Sequence, residues 1–417
     1  MSSIARRSLL KSGLALSASC ALPSLCWAAA PGVARKPGQK VLVTVFQRFG
    51  MDGVLAVAPY TDKGLAKLRP DLVLSPPSSR KANARLDLGA GFGLHPAFAP
   101  LLPLYQQGHL AIVHGIGQPD NTRAHLTAQR WWESGVPGDP NRHDGWLNRA
   151  LTSMGELAGP TPAVALAQSR PFLLYGSSAV TTTTDLESLT PAARSATLLE
   201  QLKRRYEQSP TSPLRDAALQ GIALSAALTP RAQSAVDYPE GSQLGKSLQD
   251  LARLIKADVG VRVGYVESKH SPNGKGTWDT HSNASTVAAD GPFPQMATDL
   301  ASSLAAFMQD LGPRQSDVVV VTLTDFGRNV VQNDKLGADH GRGTAMFVLG
   351  GPVAGGQVYG TLPERFERDA LEDGMDLPVT TDFRSVLSPI VQAQLGLADT
   401  TLVFPDWNGP SRPVLRT

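Results

Sequence analysis

Asp325 and Arg328 follow directly on the apolar run Val318-Val-Val-Val-Thr-Leu-Thr324, and Asp339-His340-Gly341 lies a short loop beyond. Four valines without polar alternation fit a strand covered on both faces, as in parallel α/β sheets. In such sheets ligands sit beyond the strand ends. An acid, a guanidinium and an imidazole delivered there suit a metal, an anion, or both.

Other groups of the same chemistry are dispersed along the chain. Asp52 follows an apolar run between Met51 and Gly53, where a plain turn aspartate is the bland alternative. His125 opens Ala124-His-Leu-Thr-Ala-Gln-Arg-Trp-Trp-Glu-Ser-Gly135, an amphipathic helix in which a histidine could simply cap or pack. Asp279-Thr280-His281 could be a solvated loop. Taken together, Asp52, Asp279, His281, Asp325 and His340 form a carboxylate and imidazole set that suits a hard or borderline divalent ion: zinc, manganese or calcium.

The elements that must position these groups are legible as apolar runs ending in polar loops. Val41–Phe46 leads into Arg48 to Gly53, and Leu110–His114 leads into Gly115 to His125. Val261–Glu267 precedes the loop ending at His281, and Ala345–Leu349 follows Asp339-His340. Leu101, Leu104 and Tyr105 fit one face of a helix starting near Pro96. Leu300, Leu304, Phe307, Met308 and Leu311 recur at helical spacing, and Gly312-Pro313 ends that pattern just before the valine run. A helix feeding a buried strand is the step of a wound parallel sheet. The segment from about Thr181 to Gly241 is polar and rich in Ala, Ser and Gln, and is expected as a helical insertion.

Residues 1–30 are expected to be a leader. Arg6-Arg7 before a moderately apolar stretch, Ser12 to Trp27, resembles a twin-arginine export signal, with cleavage after Ala28. The stretch is short and carries Gly, Ser and Pro, which argues against a membrane anchor, and a lipobox around Cys20 or Cys26 is poorly formed. Both cysteines fall in this leader, so the processed chain, with the α/β domain expected over 31–417, would have neither thiol nor disulfide. Losing Arg6, Arg7 and Lys11, and no acid, brings the basic residues from 39 down to the 36 of the acidic ones. A neutral chain gives no support to nucleic-acid or anionic-membrane binding.

Arg48-Phe-Gly-Met-Asp-Gly53, Gly93-Leu-His-Pro96, Asn121-Thr-Arg-Ala-His125, Asp144-Gly-Trp-Leu147, Trp278-Asp-Thr-His281, Thr324-Asp-Phe-Gly-Arg328, Asp339-His-Gly341 and Thr381-Asp-Phe-Arg384 occur in one order. With them the chain resembles the DUF1501 proteins, exported bacterial proteins grouped with the alkaline phosphatase and sulfatase superfamily. The resemblance covers nearly all of the processed chain. It implies an alkaline phosphatase-like α/β three-layer sandwich with a mainly parallel central sheet. It also implies Asp52 as first-strand metal ligand, Asp279 and His281 as a middle pair, Asp325 and His340 as later ligands, and a nucleophile near Asn121 to His125. The chain departs from that pattern at Ala124, where many members carry Ser, and at Phe326, where superfamily enzymes commonly have a metal-binding His. Thr122 is then the remaining hydroxyl, as nucleophile or helix cap, and one metal is expected rather than two.

Two functions follow as expectations. One is a periplasmic or secreted metal-dependent hydrolase of small phosphate or sulfate esters, carried out by the twin-arginine (Tat) translocase. In it Arg123 and Arg328 would hold the anion, unless they are structural ion pairs, and His125 would shuttle a proton. The other is a non-catalytic binding or assembly protein on the same scaffold. In either case no stable membrane insertion follows processing. Asp382 is expected to cap the apolar helix Val386 to Leu395 or to pair with an arginine.

Overall fold

Valine, isoleucine and leucine runs make the strands, and their alternate residues fill two separate cores. The computed structural model describes residues 39–79, 81, 83–155, 161–187, 196–227, 234–282 and 290–416. The expected leader and its two cysteines lie outside the described residues. The strands are β1 (Val41–Gln47), β2 (Val57–Pro59), β3 (Leu86–Gly89), β4 (Phe92–Leu94), β5 (Leu110–Gly117), β6 (Ala163–Leu166), β7 (Thr181–Thr183), β8 (Val263–Ser268), β9 (Val318–Thr324), β10 (Thr344–Gly350), β11 (Val358–Tyr359) and β12 (Thr381–Asp382).

The main sheet runs β11-β5-β10-β9-β1-β8-β6-β7, with β12 also pairing β5. Every pairing is parallel except those of β10, which is antiparallel to both β5 and β9. β2, β4 and β3 form a small separate antiparallel sheet. Side chains alternate across the main sheet. Val41, Val43, Val45, Val318 and Val320 pack on one side against the helices Gln243–Lys256 and Pro292–Leu311. Leu42, Phe46, Val319 and Val321 pack on the other against Trp146–Ser153 and Phe383–Leu395. The result is the expected three-layer α/β sandwich with a mainly parallel sheet.

The valine strand is β9, buried along its whole length, and Leu300, Leu304, Phe307, Met308 and Leu311 lie on the buried face of Pro292–Leu311. Three local expectations need correction. The segment from Pro96 opens as a 3-10 turn, Pro96–Leu101, before the helix Leu102–Gln106, since Pro100 and Pro103 remove amide donors. The segment expected as helical from Thr181 begins instead with β7, which takes the sheet edge beside β6; the helices Ala196–Glu207 and Pro213–Ala227 follow. The short strands β6, β11 and β12 were not expected at all. Their runs are too brief to show a period, and only pairing with β5 or β8 makes them strands. Asp382 does cap its helix, accepting from the Arg384 amide at 2.9 Å, and also pairs with the Arg384 guanidinium at 2.8 Å.

Because β10 runs against its neighbours, the segment 325–343 leaves the sheet and re-enters it at one edge. That is the edge where β1, β5 and β8 also end, so Arg48, His125, Asp279, Asp325 and His340 are all delivered there.

Candidate metal centre

Residues 325–343 fold back on themselves as two crossing arms. Gly341 donates to the Gly327 carbonyl at 3.0 Å, Gly327 to the Arg342 carbonyl at 2.8 Å, and Asn329 to the Asp339 carbonyl at 2.9 Å. Arg328 and His340 face each other across this crossing. A Cβ at Gly327 would strike the carbonyl oxygen of Gly343, and one at Gly341 the backbone of Arg328. Close backbone approach therefore requires glycine in both arms.

The crossing brings Arg328 under the loop from β8. Its guanidinium donates to Asp279 Oδ1 at 2.5 Å, to the carbonyls of Phe49 at 2.6 Å and Gly50 at 2.9 Å, and to those of Trp278 and Ala338. Around the same Asp279 oxygen stand three imidazole nitrogens: His281 Nε2 at 3.1 Å, His340 Nε2 at 3.3 Å and His125 Nε2 at 3.6 Å. The His281 and His340 Nε2 atoms are 2.8 Å apart. His125, Asp279 and His340 offer ligand atoms all within 4.8 Å of one another.

What each imidazole does with its other nitrogen decides the chemistry. His125 Nδ1 lies 2.7 Å from Asp325 Oδ2, His281 Nδ1 2.8 Å from Asp339 Oδ1, and His340 Nδ1 2.7 Å from the Arg123 carbonyl. Carboxylates and carbonyls only accept, so each Nδ1 carries the proton, and in the neutral ring each Nε2 is left as a bare lone pair. The buried His125 Nε2 has no hydrogen-bond partner among the described residues. Two lone pairs facing at 2.8 Å, as in His281 and His340, are satisfied by a proton or a cation between them. Donors about 2.0–2.1 Å from a zinc ion in a tetrahedron stand about 3.4 Å apart, close to the separations around Asp279. The residues fit a metal ion. Imidazole Nδ1 held by a carboxylate or carbonyl is also the usual outer arrangement of metal-bound histidine.

Electrostatics agree. Burial opposes charge on His125 and on Asp279, but their mutual contact and those with Asp325, His340 and Arg328 outweigh it. His125 is pushed up to about 9, and the Asp279 carboxyl is held well below the usual carboxylate range. The hydrogen bond from His281, against a smaller effect of burial, lowers the Asp339 carboxyl as well. The Asp279 carboxylate is thereby kept charged at the centre of the cluster. Its floor is apolar: Phe326 stacks on His125 with ring centres 4.8 Å apart and lies 4.8 Å from His340. Phe49 meets His125 edge-on at 5.5 Å. Phe49 adopts a left-handed φ of 83°, strapped at both ends, its N–H to Asp325 and its carbonyl to Arg328. Strain held this firmly beside reactive groups is typical of a functional site.

The structure brings Asp279, His281 and His340 together as expected and rearranges the rest. His125, expected as a proton shuttle, joins the cluster. Asp325, expected as a ligand, stands behind it: its oxygens accept from His125, the Phe49 N–H and the Gln129 amide at 2.9 Å. Asp52 is elsewhere. It caps the turn Gly53–Ala56 through the Leu55 N–H and pairs with Arg69 at 2.9 Å, both side chains 1% exposed. A turn aspartate reading was available for Asp52, but nothing local announced Arg69.

Arg328 is not free to clamp an anion, whereas Arg123 engages Asp376 through Nη2 with 38% of its side chain exposed. Arg328 spends its guanidinium on Asp279 and backbone carbonyls, and Arg123 is bound to the buried Asp376, which Asn329 also holds. The Thr122 hydroxyl accepts from the Ala124 N–H at 3.3 Å, bracing the turn before the helix His125–Ser134. Asp376, Asn329 and Gln129 were missed. Gln129 and Glu133 carried a signal, at four and eight residues after His125 on one helical face.

A family model described as a protein of unknown function, DUF1501, matches residues 110–403. The chain belongs to the DUF1501 family. The match spans β5 through the end of the Phe383–Leu395 helix and so includes every residue of the cluster. None of the curated proteins matches it. Among solved structures, the protein PH0037 from Pyrococcus horikoshii is similar at 11% identity, with 87% of this chain and 98% of that one covered and a TM-score of 0.32. A phosphonate monoester hydrolase of Agrobacterium radiobacter matches at 11% identity over 90% and 79% of the two chains, with a TM-score of 0.36. BT1596, a 2-O GAG sulfatase, matches at 9% over 90% and 76%, with a TM-score of 0.33. At these TM-scores they say nothing about the chemistry of this DUF1501 protein.

Proposed function

We propose that this protein is an exported metal-dependent hydrolase of phosphate or sulfate esters. His125, His281, His340 and Asp279 would hold one divalent ion. The observation that carries the reading is that three imidazoles turn their Nε2 atoms toward one carboxylate oxygen while all three Nδ1 atoms are held from behind. Three imidazoles with one carboxylate favour zinc over manganese or calcium, which prefer oxygen donors. Such an ion supplies Lewis acidity toward an ester oxygen and lowers the pKa of a water.

The chain's own residues do the rest. Arg328 fixes Asp279 and balances its charge. Asp325, Asp339 and the Arg123 carbonyl hold the imidazole rings in one tautomer. The amino end of the helix His125–Ser134, whose N-cap Ala124 brings no side chain to its amides, favours an anionic group beside the cluster. Phe49 and Phe326 keep water from the rear of the site. The Arg6-Arg7 leader adds export by the twin-arginine translocase to this reading.

A second reading is a non-catalytic metal-binding protein. The engagement of Arg328 favours it, since that guanidinium cannot greet a substrate anion. Elemental analysis of the purified protein, with aryl phosphate and aryl sulfate assays of wild type and His340→Ala, separates the two. Bound zinc with turnover lost in the variant supports the hydrolase. Stoichiometric zinc without turnover supports the binding protein, and a wild type that takes up no metal defeats both.

A further inference from the structure

The helix that begins at His125 buries a polar ladder. His125, Gln129 and Glu133 recur every four residues, on one face, and all three point inward. Gln129 and Glu133 are 9% and 5% exposed. What they meet is Arg48, the residue that follows β1. Its Nη1 donates to Gln129 Oε1 at 2.9 Å, and its Nη2 to Glu133 Oε1 at 3.0 Å and Tyr265 at 2.7 Å. Nε and Nη2 also reach Glu267. Gln129 Nε2 then donates to Asp325 Oδ2 at 2.9 Å, the same oxygen that accepts from His125 Nδ1.

This position suits an amide better than any other side chain. A guanidinium can only donate and a carboxylate can only accept, so the residue between them needs one acceptor and one donor on one rigid plane. Glutamate would repel Asp325. An apolar residue would leave both a buried guanidinium N–H and a carboxylate lone pair without partners. The orientation of the amide is therefore fixed by its neighbours, and through Asp325 it limits how far the His125 ring can turn.

We propose that Gln129 is a positioning residue of the metal centre, passing the fixed orientation of Arg48 through Asp325 to the His125 ring. This rests on the metal reading above. Outer partners of metal-bound histidine are commonly worth about 10- to 100-fold in affinity. Near-neutral packing with loss of the amide is available in Gln129→Met. Gln129→Asn keeps an amide too short to span both partners.

The test is a zinc titration of metal-stripped folded protein in competition with a chromogenic chelator. Gln129→Met is expected to bind Zn²⁺ about 10- to 100-fold more weakly than wild type. Against an Asp325→Asn background it is expected to change affinity by no more than about twofold, because both act along one path. Where the Met variant does not fold, Gln129→Asn is expected to give the same pattern. Wild-type affinity in the variant, or losses that multiply in the double variant, would overturn the role of Gln129 while leaving the metal centre standing. A wild type that binds no zinc would overturn both.

Discussion

Arg328 Nη2 donates to Asp279 Oδ1 at 2.5 Å, joining the loop that ends the valine strand to the loop that follows β8. The same guanidinium holds the carbonyls of Phe49 and Gly50, just beyond the end of β1. One buried side chain thus ties three strand ends around the cluster. Lysine cannot reproduce this fork. Arg328→Lys is expected to cost about 3 kcal/mol or more in chemical unfolding and at least tenfold in zinc affinity. Near-wild-type values for both would mean that Asp279 is placed by something else.

Metal-free protein should show the cluster in its pH dependence. His125 has its pKa raised to about 9, against an unfolded value of about 6.5. Its contribution to stability is fully present below about pH 6.5 and is lost as pH rises through about 9. Asp279, lowered, contributes above the ordinary carboxylate value of about 3.9 and loses this only well below it. The stability gap between wild type and His125→Gln, both stripped of metal, should be larger at pH 6 than at pH 9.5. Zinc affinity should run the opposite way, rising with pH toward about 9 as the imidazole proton is displaced more easily. A gap that widens with alkaline pH would contradict the His125–Asp279–Asp325 contacts.

Asp52 separates folding from metal holding. Breaking its buried pair with Arg69 is expected to cost about 3–5 kcal/mol, so Asp52→Asn should lower the urea midpoint sharply. The fraction that remains folded should keep its zinc. Folded but zinc-free Asp52→Asn protein would restore Asp52 to the ligand set.

Lys269 is the cation to test for anion recognition. Its Nζ lies 5.8 Å from the Phe49 ring centre, beside the ring that borders His125. No ion pair engages it among the described residues. Lys269→Gln is expected to weaken inhibition by inorganic phosphate about 2- to 5-fold, the scale of an exposed charge, with zinc content unchanged. The difference should shrink in high salt. Equal inhibition at low salt would remove Lys269 from the site.

The layered α/β plan was legible in the chain alone, because apolar runs and helical spacing are local properties that survive into the core. The sequence also marked Asp279, His281 and His340 as chemistry at strand ends. Tertiary structure decided which groups share one point in space. Asp52 and Asp325 look alike in sequence, each an aspartate in the loop that follows an apolar run. One met Arg69 and became a cap; the other met His125 and became its anchor. His125 itself entered the cluster because β10 runs antiparallel, returning His340 to the edge where the helix from β5 begins. Such meetings depend on strand order and loop crossing, which no window of neighbouring residues encodes.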